Sequence, residues 1–156
     1  MTIRVVFVCL GNICRSPMAE AVFADMVNKA GLSDQITVDS VGTGHWHVGG
    51  PAHEGTQKVL RAHGINFEHV VRQIDASDLR DADYLIAMDH KNLADIRRLG
   101  PTDAVVSLLL DYADGVDETE VPDPYYTGEF DYVYELVVAG CQGLLDHIRE
   151  KEGIRT

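Results

Sequence analysis

The run Ile3 to Val8 is apolar at every position but Arg4, is mostly β-branched, and breaks off into Cys9-Leu10-Gly11-Asn12. An apolar run without alternation reads as a strand buried on both faces, the mark of a parallel sheet. A parallel sheet needs long crossovers, usually helices, and the chain supplies them. Pro17 after Ser16 suits the first turn of a helix with Ser16 as its N-cap. Met18, Val22 and Met26 then recur every four residues, and Gly31 closes the helix. Gln35 to Val41 reads as a second strand and Gly42 to Pro51 as a glycine-rich loop carrying Trp46. Ala52 to His63 reads as a helix with Val59 and Leu60 on one face and Gly64 as its stop. Ala82 to Met88 reads as a strand, and Asp89 to Leu99 as a helix capped by Asp89. Ala104 to Leu110 is a last strand, although Ser107 to Leu110 reads equally as a turn. Asp111 to Asp123 is acidic, lacks Lys and Arg, and reads as a loop.

A final helix is expected from about Glu129 to Arg149. Phe130, Val133, Val137, Cys141, Leu144 and Ile148 form its apolar stripe, so Cys141 falls on the core face as a small buried hydrophobe. Strands and helices in alternation imply a single α/β domain over residues 1–156 with a parallel sheet, and 156 residues is an ordinary domain size. Ligands of such sheets bind beyond the carboxyl ends of the strands, and the first strand ends at Cys9.

Charge and cysteine content narrow the function. A formal net charge of −12 repels a nucleic-acid backbone and argues against a basic membrane-surface helix. The apolar run near the start, Val5 to Leu10, is far too short to span a bilayer and lacks a cleavage site. The chain is therefore expected in the cytoplasm, with neither nucleic acid nor membrane as partner. Three cysteines, Cys9, Cys14 and Cys141, are too few and too odd for a disulfide framework.

The segment Cys9-Leu10-Gly11-Asn12-Ile13-Cys14-Arg15-Ser16-Pro17 joins the buried strand to a helix start. Gly11 and Asn12 tolerate positive φ. A loop curled this way aims successive N–H groups at one point and makes an anion nest, to which the helix adds the positive end of its dipole. The loop is no Walker motif, since no Gly-Lys-Ser/Thr ends it. It offers a thiol at the floor of an anion site. That setting favours thiolate over thiol, so the nucleophile needs no partner base. Arg15 sits where the loop curls back, and its planar fork can grip two phosphate oxygens. Ser16 can donate to the sulfur. A lone cysteine at a strand end is commonly just buried, and a lone arginine near a helix start just a surface charge. The pair bracketing Gly-Asn is a far rarer combination.

The run CLGNICRSP, with DPYY near the C-terminus, resembles the low-molecular-weight protein tyrosine phosphatases in motif order and spacing along essentially the whole chain. His45-Trp46-His47-Val48-Gly49 is most similar to the bacterial branch. The resemblance implies a four-stranded parallel sheet flanked by helices and no metal or organic cofactor. It implies that Leu10, Gly11, Asn12, Ile13, Cys14 and Arg15 bind phosphate, and that Cys9 attacks phosphorus to form a cysteinyl-phosphate. It also implies that Asn12, Ser16, Ser40 and His69 brace the loop. The substrate would be a phosphotyrosine protein or a small aryl phosphate, taken by a monomer.

The chemistry asks independently for an acid, because a phenolate is a poor leaving group and a positioned acid typically gives about 10²–10⁴-fold. Asp123 lies in Val121-Pro122-Asp123-Pro124-Tyr125-Tyr126, stiffened by two prolines. On chemistry alone it stands little above its acidic neighbours; the resemblance singles it out. Trp46, Tyr125 and Tyr126 are candidates to sandwich a substrate ring, with partial burial against the sheet as the alternative for Tyr126. The tyrosine pair is also phosphorylated in some relatives. Cys14 shares the loop with Cys9, and a reversible disulfide would shield Cys9 from over-oxidation, a redox role the resemblance supports over passive packing. His45, His47 and His53 lack the fourth ligand and the spacing of a zinc site and read as surface histidines. Two rivals remain: an arsenate reductase on the same fold, which needs resolving cysteines, and a non-catalytic phosphoprotein-binding module, which has no use for Asp123.

Overall fold

The first strand, β1 (Ile3–Cys9), is the centre of the sheet. In this computed structural model, which describes residues 2–154, it pairs in parallel with β2 (Ile36–Gly42) on one side and β3 (Tyr84–Ala87) on the other. The fourth strand, β4 (Val105–Leu108), pairs in parallel with β3, giving the order β2-β1-β3-β4. The chain leaves β1 for one side and later returns to its other side. That reversal opens a crevice at the carboxyl end of β1, where Cys9 stands opposite Gly42.

The unbroken apolar character of β1 follows from its two covered faces. Val5, Phe7 and Cys9 join a core with Met18 and Phe23 of α1 (Arg15–Lys29) and with Leu144 and Ile148 of α6 (Phe130–Glu152). Val6 and Val8 face the other way, into a second core with Leu85 and Ala87 of β3 and Ile96 of α4 (His90–Leu99). Each such fully buried large side chain contributes roughly 1.5–3 kcal/mol. Phe7 and Phe23 meet edge to face at 5.5 Å. The stripe expected on α6 is buried from Val133 to Ile148, Cys141 included, with Phe130 partly buried against it. Gly143 lets α6 approach the 3-10 turn Leu109–Tyr112, because a Cβ there would stand 1.7 Å from the Tyr112 carbonyl oxygen.

Several boundaries differ from expectation. The α1 helix starts at Arg15, with Cys14 rather than Ser16 at its N-cap, because the Ser16 hydroxyl is engaged elsewhere. The last strand stops at Leu108 and the chain turns into the 3-10 segment, the turn alternative. The helix α2 is Glu54–Ala62, with His53 as its N-cap accepting from Gly55 N–H. Two short helices lie outside the expected elements. One is α3 (Ala76–Asp81), opened by a reciprocal capping box between Asp75 and Asp78. The other is the single turn α5 (Pro124–Thr127), capped by Asp123. Among the described residues no helix is long and apolar enough to cross a membrane.

Candidate active site

The loop between β1 and α1 is tied down by its carbonyl groups. The Cys9 and Leu10 oxygens accept from Thr43 and Gly44 N–H, each at 2.9 Å. The Asn12 oxygen accepts from His69 Nε2 at 2.9 Å, and the Ile13 oxygen from His53 N–H at 2.8 Å. The Cys14 oxygen accepts from Thr56 Oγ1 at 3.1 Å. Among the described residues none accepts from the backbone N–H groups of residues 10–15. The acceptors are spent outward and the donors are left for an anion. Asn12 alone provides the left-handed turn, at φ 56°, whereas Gly11 keeps a negative φ. The second glycine that matters is Gly42, where a Cβ would stand 2.9 Å from Leu10 O and 3.1 Å from Asn12 Cβ.

Asn12 faces the back of this loop. Its Nδ2 donates to Ser16 Oγ at 2.9 Å and Ser40 Oγ at 3.0 Å. Its Oδ1 accepts from His69 Nε2 at 3.1 Å and Arg72 N–H at 3.2 Å. Both His69 partners are acceptors, so the proton is on Nε2, and burial holds the ring's pKa down in favour of the neutral form. Ser40 Oγ donates in turn to Glu20 Oε1 at 2.6 Å; burial pushes that carboxyl up to about 7. Ser16, accepting from Asn12, keeps its own proton for the sulfur of Cys9 at 2.9 Å, a nearer acceptor than Val41 O at 3.4 Å.

Arg15 is buried, with Nη1 donating to Asp89 Oδ2 at 2.8 Å and to Val121 O at 2.9 Å. Burial opposes its charge, but Cys9 and Asp89 outweigh it and raise the guanidinium pKa further. Asp123 Oδ2 lies 3.6 Å from Arg15 Nη2 while its Oδ1 accepts from Tyr125 N–H at 3.1 Å. Asp89, read from sequence only as a helix cap, thus has a second task at the end of β3.

Together these groups surround a cleft of about 200 Å³. Cys9, Leu10, Gly11, Ile13, Cys14 and Arg15 line it from the loop, and Trp46, Asp123, Tyr125 and Tyr126 line its sides. Asn12, expected among the phosphate ligands as well as the braces, has its side chain committed behind the loop and does not line the cleft, so only its backbone N–H is left for an anion. Tyr126 is 77% exposed, which excludes its burial against the sheet. His47, read as a surface histidine, also lines the cleft. His45 stacks on Trp46, and His53 stacks on Phe130. Among the described residues no three His, Cys, Asp or Glu side chains are arranged to hold a metal ion. Burial, with the nearby Cys9, pushes the Cys14 thiol up to about 12. Cys141 is fully buried on α6, away from the cleft.

The family model described as low molecular weight phosphotyrosine protein phosphatase matches residues 4–153. The low molecular weight protein-tyrosine-phosphatase YfkJ of Bacillus subtilis is 49% identical over 96% of this chain and 98% of its own length. Its crystal structure matches with a TM-score of 0.94 over 97% of each chain. The low molecular weight protein-tyrosine-phosphatase PtpA of Staphylococcus epidermidis is 45% identical over 94% of each. A protein tyrosine phosphatase from Entamoeba histolytica matches with a TM-score of 0.90 at 33% identity, over 97% of this chain and 99% of that one. With sequence, fold and loop geometry in agreement, the chain belongs to the low molecular weight phosphotyrosine protein phosphatase family, in its bacterial branch.

Proposed function

We propose that this chain hydrolyses phosphotyrosine monoesters, in proteins or as small aryl phosphates, through a cysteinyl-phosphate on Cys9. The observation that carries this reading is the row of uncommitted N–H groups from residue 10 to residue 15, above a sulfur that accepts from Ser16. In the first step the Cys9 thiolate attacks phosphorus in line, the S–P bond forms and the P–O bond to the ring breaks. Asp123 gives its proton to the departing phenolate oxygen, whose conjugate acid has a pKa near 10. In the second step the Asp123 carboxylate takes a proton from water as its oxygen attacks phosphorus. The S–P bond breaks, the thiolate leaves toward the Ser16 hydroxyl, and phosphate departs. Arg15 and the loop N–H groups follow charge onto the equatorial oxygens. Asp89 and Val121 O keep the guanidinium aimed.

Trp46 and Tyr125 are assigned to the substrate ring, where aromatic packing is worth about 0.5–1.5 kcal/mol. Cys14 is assigned the protective role: a Cys9 sulfenic acid formed by peroxide condenses with the Cys14 thiol, forming the disulfide and releasing water. The cleft is built from one chain and its chemistry needs reduced thiols, which suits a cytoplasmic monomer. Arsenate reduction is disfavoured because Cys141 is locked in the core, which leaves no mobile pair of resolving cysteines to relay electrons to a thiol carrier. A pure binding module has no use for a proton donor, and Asp123 would serve there only as the cap of α5. The test is turnover of aryl phosphates and phosphotyrosine peptides by the wild type and Cys9→Ser. The reading expects hydrolysis that the substitution abolishes. Thiol-dependent arsenate turnover exceeding phosphate release, or binding without turnover, would replace it.

A further inference from the structure

The segment that carries Asp123 is held by a contact the two-step scheme does not use. Glu120 Oε2 accepts from the backbone N–H of His90 at 2.7 Å and from its Nδ1 at 2.9 Å. His90 is the first residue of α4, so the carboxylate satisfies an N–H group that no helical carbonyl reaches, at the positive end of the helix dipole. Hydrogen bonding from His90 lowers the Glu120 pKa, keeping it charged. On either side the contacts continue. Met88 O accepts from Val121 N–H at 2.9 Å. Asp89 and Val121 O share the same nitrogen of Arg15. The turn from β3 to α4 and the acid segment are thus sewn together residue by residue: Met88 to Val121, Asp89 through Arg15 to Val121, and His90 to Glu120.

We propose that Glu120 and His90 form a clasp that positions Asp123 for proton transfer, making both of them positioning residues for the acid step. The proposal rests on the reading of Asp123 as the acid. The side chains of His90 and Glu120 are 63% and 46% exposed, and an exposed pair adds little to global stability. Its consequence lies in direction. Asp123 follows Glu120 by three residues, and its carboxylate is otherwise guided by Arg15 at 3.6 Å and by the Tyr125 N–H. Loosening the clasp removes one of the three ties between the turn and the acid segment, leaves the Val121 contacts and the grip of Arg15 with Asp89 in place, and widens the range of positions open to the acid.

The test compares kcat/KM of Glu120→Ala, His90→Ala, Glu120→Gln and Asp123→Ala across aryl phosphates, from activated nitrophenyl to phenyl leaving groups, alongside thermal melts. Glu120→Ala is expected to lose roughly tenfold with phenyl phosphate and less than about twofold with nitrophenyl phosphate, with Tm nearly unchanged. His90→Ala, which keeps the backbone N–H, is expected to tilt the same series less. Glu120→Gln, which keeps an acceptor oxygen, is expected to restore most of the phenyl phosphate rate. A loss equal for all leaving groups in Glu120→Ala and His90→Ala, or no loss at all, overturns the clasp. If Asp123→Ala tilts the series and the clasp variants do not, only the clasp fails. If Asp123→Ala itself loses equally throughout, the acid assignment fails with it.

Discussion

The sulfur of Cys9 and the hydroxyl oxygen of Ser16 stand 2.9 Å apart, and the hydroxyl is oriented by Asn12, which donates to it from behind. In the proposed two-step reaction the same hydroxyl would steady the nucleophile before attack and the leaving group after it. A hydrogen bond to a charged partner is worth about 1.5–3 kcal/mol. Ser16→Ala is expected to lower kcat roughly ten- to hundredfold. Rapid-quench kinetics should show the breakdown of the phosphorylated enzyme slowed at least as much as its formation.

Gly42 is where β2 passes closest to the loop. Any side chain there pushes against the Leu10 carbonyl and the Asn12 backbone, neither of which can step aside without moving the N–H groups. Gly42→Ala is expected to destabilise the fold by about 1–3 kcal/mol, as overpacking does, and to weaken inhibition by vanadate. Urea unfolding and vanadate titration check the two halves. Unchanged vanadate affinity would show that the loop tolerates the intrusion.

Much of this site was legible in the sequence, for local reasons. The apolar run of β1, the Gly-Asn turn, Arg15 and the stripe of α6 announce themselves within a few residues. Prolines and aromatics mark the segment around Asp123, but only the family resemblance separates that residue from its acidic neighbours. What escaped depends on partners distant along the chain. Asp89 reaches Arg15 across 74 positions, and neither its helix-cap signature nor its strand-end position names that partner. Glu20 looks like an ordinary polar position of α1 until Ser40 and His69 close over it. Ser16 carried two readings, helix N-cap and donor to the sulfur; the cap falls to Cys14 and the contact with the sulfur is present. The short α3 offered no periodicity, although the Asp75 and Asp78 pair was a readable start signal.

Glu20 makes stability depend on pH in a definite direction. Its carboxyl titrates near 7 in the folded protein against an ordinary 4.5, chiefly because it is buried. The folded state therefore holds a proton that the unfolded state has released. Stability from this group is full below pH 4.5 and falls as pH rises through 7. The loss amounts to about 3 kcal/mol. Buried neutral His69 works oppositely, losing stability as pH falls below its ordinary value of 6.5. Glu20→Gln isolates the first effect: it should match the wild type at pH 4 and exceed it above pH 7 by ~3 kcal/mol. Denaturant midpoints across that range decide it, and parallel curves would show that Glu20 is ionised in the fold.

Cysteine labelling should separate the three thiols. Burial pushes Cys14 up to about 12 and places Cys141 higher still. A charged alkylating agent at neutral pH is expected to modify Cys9 with loss of activity, Cys14 at least about tenfold more slowly, and Cys141 only after unfolding. Peptide mapping at partial inactivation reads the order directly. Cys14→Ser should leave turnover within a few-fold of wild type while making inactivation by peroxide irreversible.

The most direct test is to catch the phosphoryl group on the protein. The wild type is mixed with an activated aryl phosphate, quenched in acid within milliseconds, digested and mapped by mass. A phosphoryl group on the peptide containing Cys9, appearing no more slowly than turnover and absent in Cys9→Ser, is the predicted result. Turnover at full rate with no phosphorylated Cys9 at any quench time, or with the label on a different residue, would contradict the account.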